Sequence, residues 1–474
     1  MTLHGLRTTA LDQEACDRLH AATVTVLERT GVEVQHEEAL AMLAKAGARV
    51  QGTRVRIPGR LVDEAIAAAP REIELSSRPG AEVEGEPLVL RSDRTYFGTG
   101  SDCLYVSGPG ARDRRPVTLD DVEEMAVLQE KLPQIDFVMS MAHPSHVPST
   151  YVDAAQFAAM LRGTGKPILM VTPNALNLDV MTEMAAACGG AGSWGIYAMP
   201  TPPLVHGRDS VELLMGCARL GVPMAYANAI LQGATAPASR AGFVIQGNAE
   251  TLSGLVIAQL AKAGAPYVYG VAQGSMNLHT SSVLYAAPES YAIQQACADM
   301  ARFYGLPSFG YGGVSDSPML DEQWALEAGT TLLANALAGV TLLHDLGYLA
   351  SGTASSYEAV VLMDEMVSWV KAYLDGVSLD QVDEAVEEID AVGPAGTHLN
   401  RKFTRRHYRD WLTPNLLSQQ PYDAWVAAGG TTLLDRVAGK ARELRSAERG
   451  FVLGGEAATE LDCLLGAVRS RVSS

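Results

Sequence analysis

The sequence predicts an α/β protein built as a (β/α)8 TIM barrel, and three observations predict it. Short runs rich in Val, Ile, Tyr and Met alternate with Ala/Leu-rich helical stretches from about residue 95 onward, the texture of repeated βαβ units. Eight such runs can be counted. The glycine motifs of the rival open doubly wound sheet, GxGxxG after an early strand or GxxxxGK[ST], are absent from the sequence.

In chain order, the predicted strands are TYFGTG (95–100), IDFVMSMA (135–142), PILMVT (167–172) and GIYAMPTP (195–202), followed by PMAYANAI (223–230), PYVYGVAQ (266–273), PSFGYGG (307–313) and VTLLHDLG (340–347). Ahead of them, residues 1–94 read as a helical region with small antiparallel strands. In HEEALAMLAKAG, Leu40, Leu43 and Ala44 recur at helical spacing and Gly47 stops the run. VQGTRVRIP (50–58) and EIELSS (72–77) alternate polar and apolar residues, which predicts a short antiparallel pair. The barrel is placed at 95–375. Beyond it, 376–474 reads as a C-terminal helical extension packed on the barrel, opening with the charged run SLDQVDEAVEEIDAVG.

Charge and cysteine usage exclude several classes. Lys and Arg total 36 against 54 Asp and Glu, a net charge of −18, which argues against nucleic acid and against an anionic membrane surface as partner. Six cysteines are scattered without a CxxC pair, a pattern expected of a reducing compartment. The first twenty residues are charged throughout, and no run of about 18 uncharged apolar residues occurs. A cytoplasmic protein is expected.

A parallel barrel places its chemistry at the C-terminal ends of the strands. Polar and aromatic residues gather there after strand upon strand, among them Tyr96, Phe97, His206, Asn228, Gln273, Ser315, Asp316, His344 and Tyr348. His344 interrupts the apolar run VTLL, where burial demands a partner or a ligand, and it is the candidate catalytic residue. His143 and His146, in HPSH, have no third ligand in sequence context, so no metal site is assigned. No GxSxG elbow supplies a nucleophile.

Several segments, in this order, resemble the trimethylamine and glycine betaine:corrinoid methyltransferase family, in its branch without pyrrolysine. They are GVEVQHEEALAMLAKAGARV, IPGRLVDEAIAAAP, RRPVTLDDVEEMAVLQEKLPQIDF, GKPI (165–168), GATAPASRAGFVIQGNAETLSGLVIAQL, ARFYGLPSFGYGGVSDSPMLDEQWALEAG and VGPAGTHLN. Together they span most of the chain. The segment NRKFTRRHYR departs from relatives, which commonly carry a further histidine before the threonine.

The resemblance implies transfer of a methyl group from a methylated amine to the Co(I) corrinoid, a cobalamin, of a separate cognate protein. Every position here is a standard residue, which points to a quaternary amine, glycine betaine first, whose nitrogen already carries the charge that makes it a leaving group. Such a head has no N–H, leaving aromatic faces and acceptor oxygens to recognise it. Tyr96, Phe97, Tyr311 and Tyr348 are the candidate cage, His206 and Arg208 the candidate donors to a carboxylate, and Asn228, Gln273, Ser315 and Asp316 further candidate contacts. The DxHxxG pattern of corrinoid-carrying domains is absent, so a partner protein is expected to bring the cobalt. A homo-oligomer is expected as well. A barrel lyase or isomerase, and a betaine-binding protein without catalysis, are the alternatives.

Overall fold

The computed structural model describes residues 6–81, 86–110 and 113–473, with the side chains of 271–273 and 472–473 outside the description. At its centre lies an eight-stranded sheet, seven of whose strands run in the order Tyr96–Thr99, Leu342–Leu346, Ser308–Tyr311, Tyr267–Asn277, Met224–Gln232, Trp194–Ala198 and Ile168–Val171. Every neighbouring pair among these seven is parallel, and the eighth strand, Ser282–Leu284, pairs antiparallel with Tyr267–Asn277. The outer strands are each bridged, again in parallel, to one short extended segment: Gly98 pairs with Phe137 and Val138 with Ile168. Each predicted strand thus coincides with an observed strand or bridge.

Parallel neighbours need a crossover, and helices supply it. Leu119–Glu130, Leu178–Ala187, Arg208–Leu220, Arg240–Ala261, Pro288–Tyr304, Glu322–Ala338 and Tyr357–Leu374 follow the seven strands in turn, and Val152–Gly163 follows the bridged Phe137–Val138 segment. Their inward stripes and the outward side chains of the sheet form the main core, from Phe157 and Trp194 to Tyr267 and Trp324. The other face of the sheet carries a second cluster of Tyr96, Phe137, Leu169, Tyr197, Ala225, Ala227, Val268, Phe309 and Leu342. The alternation along each strand separates the two.

The antiparallel segments pair differently from the expected hairpin. Arg49–Gln51 and Arg54–Arg56 turn on Gly52, at φ 61°, and pair with each other, and Val32–Val34 adds to them. Ile73–Leu75 instead pairs with Leu88–Leu90. The reason is the inner cluster, where Ile73, Leu75 and Leu90 pack against Tyr96 and Phe137 and so cover the N-terminal end of the sheet. In the C-terminal region Leu433–Ser446 packs on Tyr357–Leu374, and Gly455–Ser473 on Leu178–Ala187 and Val152–Gly163. Among the described residues no helix is long and apolar enough to cross a membrane.

One buried lysine fixes the Phe137 segment against its neighbours. Lys166, in the GKPI run, is 4% exposed and donates to the carbonyls of Gln129, Leu132 and Ile135 at 2.7, 2.7 and 2.8 Å. These carbonyls belong to the C-terminal turn of the helix Leu119–Glu130 and the loop after it, where a cation also meets the favourable end of the helix dipole. Replacing Lys166 with Met is therefore expected to cost about 2–4 kcal/mol of unfolding free energy by denaturant titration. A loss below about 1 kcal/mol would show that water takes over the three carbonyls.

Candidate active site

The strand Met224–Gln232 presents Ala225 and Ala227 to the inner cluster and Ala229 to a cavity above it. Small side chains on that wall leave the space that larger ones would fill. The cavity measures about 330 Å³ and lies at the C-terminal ends of the strands, lined by Tyr197, Met199, Tyr285, Tyr311, His344 and Tyr348 together with Ser101, Asp102 and Asp345.

Consecutive residues on a strand face opposite sides, yet His344 and Asp345 both line this cavity. A register shift between Leu343 and Leu346 explains it, because Asp345 adopts φ 70° and the bulge turns its carboxylate to the same side as the imidazole. A left-handed backbone at a non-glycine residue costs of order 1 kcal/mol and persists where its surroundings impose it. Here the surroundings are tight. A Cβ on Gly100 would collide with the Tyr348 ring and lie 2.6 Å from Asp345 Oδ1. Tyr348 Oη in turn accepts the Ser101 N–H at 2.6 Å and donates to the Ser101 carbonyl. Asp102, the next residue, is also left-handed, at φ 62°, and is exposed, so solvent reaches the cavity beside it.

The hydrogen bonds settle the state of the imidazole. Gly310 O can only accept, so His344 Nδ1 is the donor at 2.7 Å. The ring stacks on Phe309 at 3.9 Å and meets the edge of Tyr197 at 5.6 Å. Burial takes its pKa from 6.5 down to about 3, so His344 is neutral and its Nε2 carries a lone pair. That lone pair faces Asp345 Oδ2 at 3.3 Å. Burial raises the Asp345 carboxyl well above the usual carboxylate range, and a proton held on it satisfies both atoms.

Tyr285 reaches the cavity by another route. Asp316 accepts the N–H groups of Tyr285 and Ala286 at 3.0 and 3.1 Å and the Ser351 hydroxyl at 2.8 Å, pinning two loops at once. Tyr311 Oη donates to the Tyr285 carbonyl at 3.1 Å, and the two rings meet edge to face at 5.7 Å.

Of the residues singled out in the sequence, His344, Tyr311 and Tyr348 come together in this cavity. Asp316 holds Tyr285 from behind, and Ser315 is buried with its hydroxyl on Glu327 Oε2 at 2.6 Å. Tyr96 lies at the opposite end of the sheet, with the Val89 N–H donating to its hydroxyl at 3.0 Å. Phe97 faces the helices, under the Lys371 ammonium at 5.1 Å. His206 is buried between Tyr226 Oη at 3.0 Å and Ser253 Oγ at 2.7 Å, and desolvation takes its pKa to about 4, leaving a neutral core histidine. Arg208 begins the helix Arg208–Leu220 and is exposed. Asn228 points to that side too, donating to Gly247 O at 2.7 Å on the helix Arg240–Ala261. The Gln273 side chain lies outside the described residues.

Asp102, Tyr197, Met199, Tyr285 and Asp345 were not singled out by sequence reasoning. Tyr197 carried a usable signal, a strand-end tyrosine in GIYAMPTP. Asp345 was masked by the alternation rule that the bulge breaks, and Tyr285 follows the excursion Leu278–Leu284, far in sequence from the end of its strand. Among the described residues no three His, Cys, Asp or Glu side chains converge as metal ligands.

Fold and site together describe a parallel α/β protein with an aromatic, acidic pocket at its strand ends. A family model described as Trimethylamine methyltransferase (MTTB) matches residues 3–462, and the chain belongs to that family of methyltransferases. It is 30% identical to a glycine betaine methyltransferase of Desulfitobacterium hafniense over 80% of each chain. A trimethylamine methyltransferase of the same species is 27% identical over 81% of this chain and 78% of its own, and one of Methanosarcina thermophila 30% identical over 80% of each.

Two substitutions probe the site. Replacing His344 with Ala removes the donor to Gly310 O, so stability is expected to fall by about 1–3 kcal/mol and methyl transfer per folded molecule by about 10²-fold. Full activity in the folded fraction would make His344 a core residue only. In the unaltered protein its ring resonances are expected not to titrate between about pH 5 and 8, since its pKa lies near 3. Replacing Gly100 with Ala should abolish most activity by displacing Tyr348 and Asp345, while an unchanged kcat/KM would show that neither needs its place.

Proposed function

We propose that the central sheet closes through the Phe137–Val138 segment into an eight-stranded (β/α)8 barrel, and that this chain moves a methyl group from a quaternary amine to the Co(I) corrinoid of a separate protein. The observation that carries the reading is the cavity itself: four tyrosines and Met199 surround two aspartates at the strand ends. Aromatic faces contribute about 0.5–2 kcal/mol each toward a cation that has no N–H to offer. The described lining holds no Lys or Arg, so nothing there repels a permanent positive charge.

The chemistry asks little of the protein beyond placement. As the carbon–nitrogen bond breaks, its electron pair stays on nitrogen and a neutral tertiary amine leaves, so no proton is transferred. The corrinoid, as co-substrate on its own protein, supplies the nucleophile. This chain's tyrosines hold the ammonium head, Asp345 and Asp102 set the charge around it, and the close contacts of Gly100 and Tyr348 keep the wall rigid. Such chemistry suits the cytoplasm, where a strongly reduced cobalt centre can be maintained.

Glycine betaine heads the substrate panel on sequence likeness, followed by proline betaine and carnitine. Loss of the Co(I) absorbance of free cobalamin is expected with one or more quaternary amines and not with trimethylamine. The standard residues of this chain offer no group to activate a neutral amine. Comparable turnover of trimethylamine would sink the reading.

A further inference from the structure

Four tyrosines line the cavity, and their hydroxyls divide into two pairs. Tyr348 Oη donates to the Ser101 carbonyl and Tyr311 Oη to the Tyr285 carbonyl at 3.1 Å, so both are spent on backbone. Tyr197 Oη and Tyr285 Oη have no hydrogen-bond partner among the described residues, although both side chains line the cavity and Tyr197 is only 6% exposed. A buried hydroxyl without an acceptor is uncommon in native proteins and points to a ligand. Burial raises the pKa of both phenols and the nearby Asp345 carboxyl adds to the rise, so each keeps a proton to donate and the two approach the same part of the lining. Other side-chain donors there are taken, His344 Nδ1 by Gly310 O and the Ser101 hydroxyl by Asp102 Oδ2 at 3.0 Å. No Lys or Arg joins them in the described lining.

We propose that the Tyr197 and Tyr285 hydroxyls bind a carboxylate on the substrate, one to each oxygen, which makes a quaternary ammonium carboxylate the substrate class of this pocket; the inference rests on the function proposed above. A trimethylammonium head has neither donor nor acceptor, so on its own it leaves both hydroxyls unsatisfied. An acceptor elsewhere on the same molecule satisfies them, and two donors match the two oxygens of a carboxylate. Phenols also hold that group without a Lys or Arg, whose charge would repel the head a few ångströms away. Asp345 does not oppose the carboxylate, because burial raises its carboxyl well above the usual range and its proton stays between it and His344 Nε2. The two tyrosines thus fill the role for which the sequence suggested His206 and Arg208, neither of which lines the cavity. Tyr311 and Tyr348, with their hydroxyls tied to backbone, are left to present only their rings to the head.

Calorimetric titration of the full-length protein is expected to rank the best-bound quaternary carboxylate among glycine betaine, proline betaine and carnitine above choline, and choline above tetramethylammonium. Tyr197→Phe and Tyr285→Phe keep the rings and remove one donor each. Either substitution is expected to raise the Kd of that carboxylate about tenfold more than the Kd of tetramethylammonium. In methyl transfer to free cobalamin, KM should rise far more than kcat falls. Each variant should melt at or above the wild-type temperature, because the hydroxyl it lacks has no partner in the chain. Wild-type protein that binds choline or tetramethylammonium as tightly as every carboxylate overturns the inference. So does a variant that raises the two Kd values equally, leaves the carboxylate value unchanged or loses several degrees in melting temperature. Should one variant fail to fold, the other and the wild-type ranking decide. Binding of none of the five amines sinks the proposed function itself, and this inference with it.

Discussion

The site depends on one irregular residue. If Asp345 kept a β conformation, the strand Leu342–Leu346 would send His344 inward and Asp345 outward into the packed layer of helices, where an unpaired carboxylate has no place. The bulge delivers both to the cavity, and the rest of the wall is shaped to tolerate it. Gly100 has no side chain because Asp345 and Tyr348 occupy the volume a Cβ would take, and Tyr348 binds the backbone of Ser101 in both directions. Two stretches far apart in sequence are thereby locked through one left-handed backbone position.

That lock has an electrostatic counterpart. With Nδ1 committed to Gly310 O, His344 presents only a lone pair to Asp345, and the contact is attractive only while the carboxyl keeps its proton. The pair is thus neutral in an empty cavity. A cation entering beside it changes the balance, since about 4 Å from a carboxylate in partly buried surroundings a unit charge is worth about 4 kcal/mol. The walls that pay least for this are aromatic, since they stay apolar when the cavity is empty and offer a negative face when a cation arrives.

Much of the architecture was legible because it follows from local periodicity. The eight apolar runs report their own burial between a packed inner face and a layer of helices, and Gly47, left-handed at φ 99°, ends its helix where the sequence indicates. What periodicity cannot report is the partner of a short strand. EIELSS pairs with Leu88–Leu90 because the inner cluster needs Ile73 and Leu75, a demand made by residues as distant as Phe309. Likewise His206 looks like a strand-end donor until the helix Arg240–Ala261 supplies Ser253, and Tyr96 looks like a cage residue until its position at the far end of its strand is known.

The residues that escaped notice share a physical cause. Tyr285 is brought to the cavity by hydrogen bonds from its backbone to Asp316, itself positioned on a different loop, so its place is a property of two excursions and not of its own segment. Asp316 was noticed for its polarity as a candidate substrate contact, but its oxygens are spent on N–H groups and a hydroxyl and not on the cavity. A side chain at the mouth of a parallel sheet can thus serve the site by facing it or by holding another that does. Sequence position distinguishes neither, whereas an accounting of where each buried oxygen finds its hydrogen does.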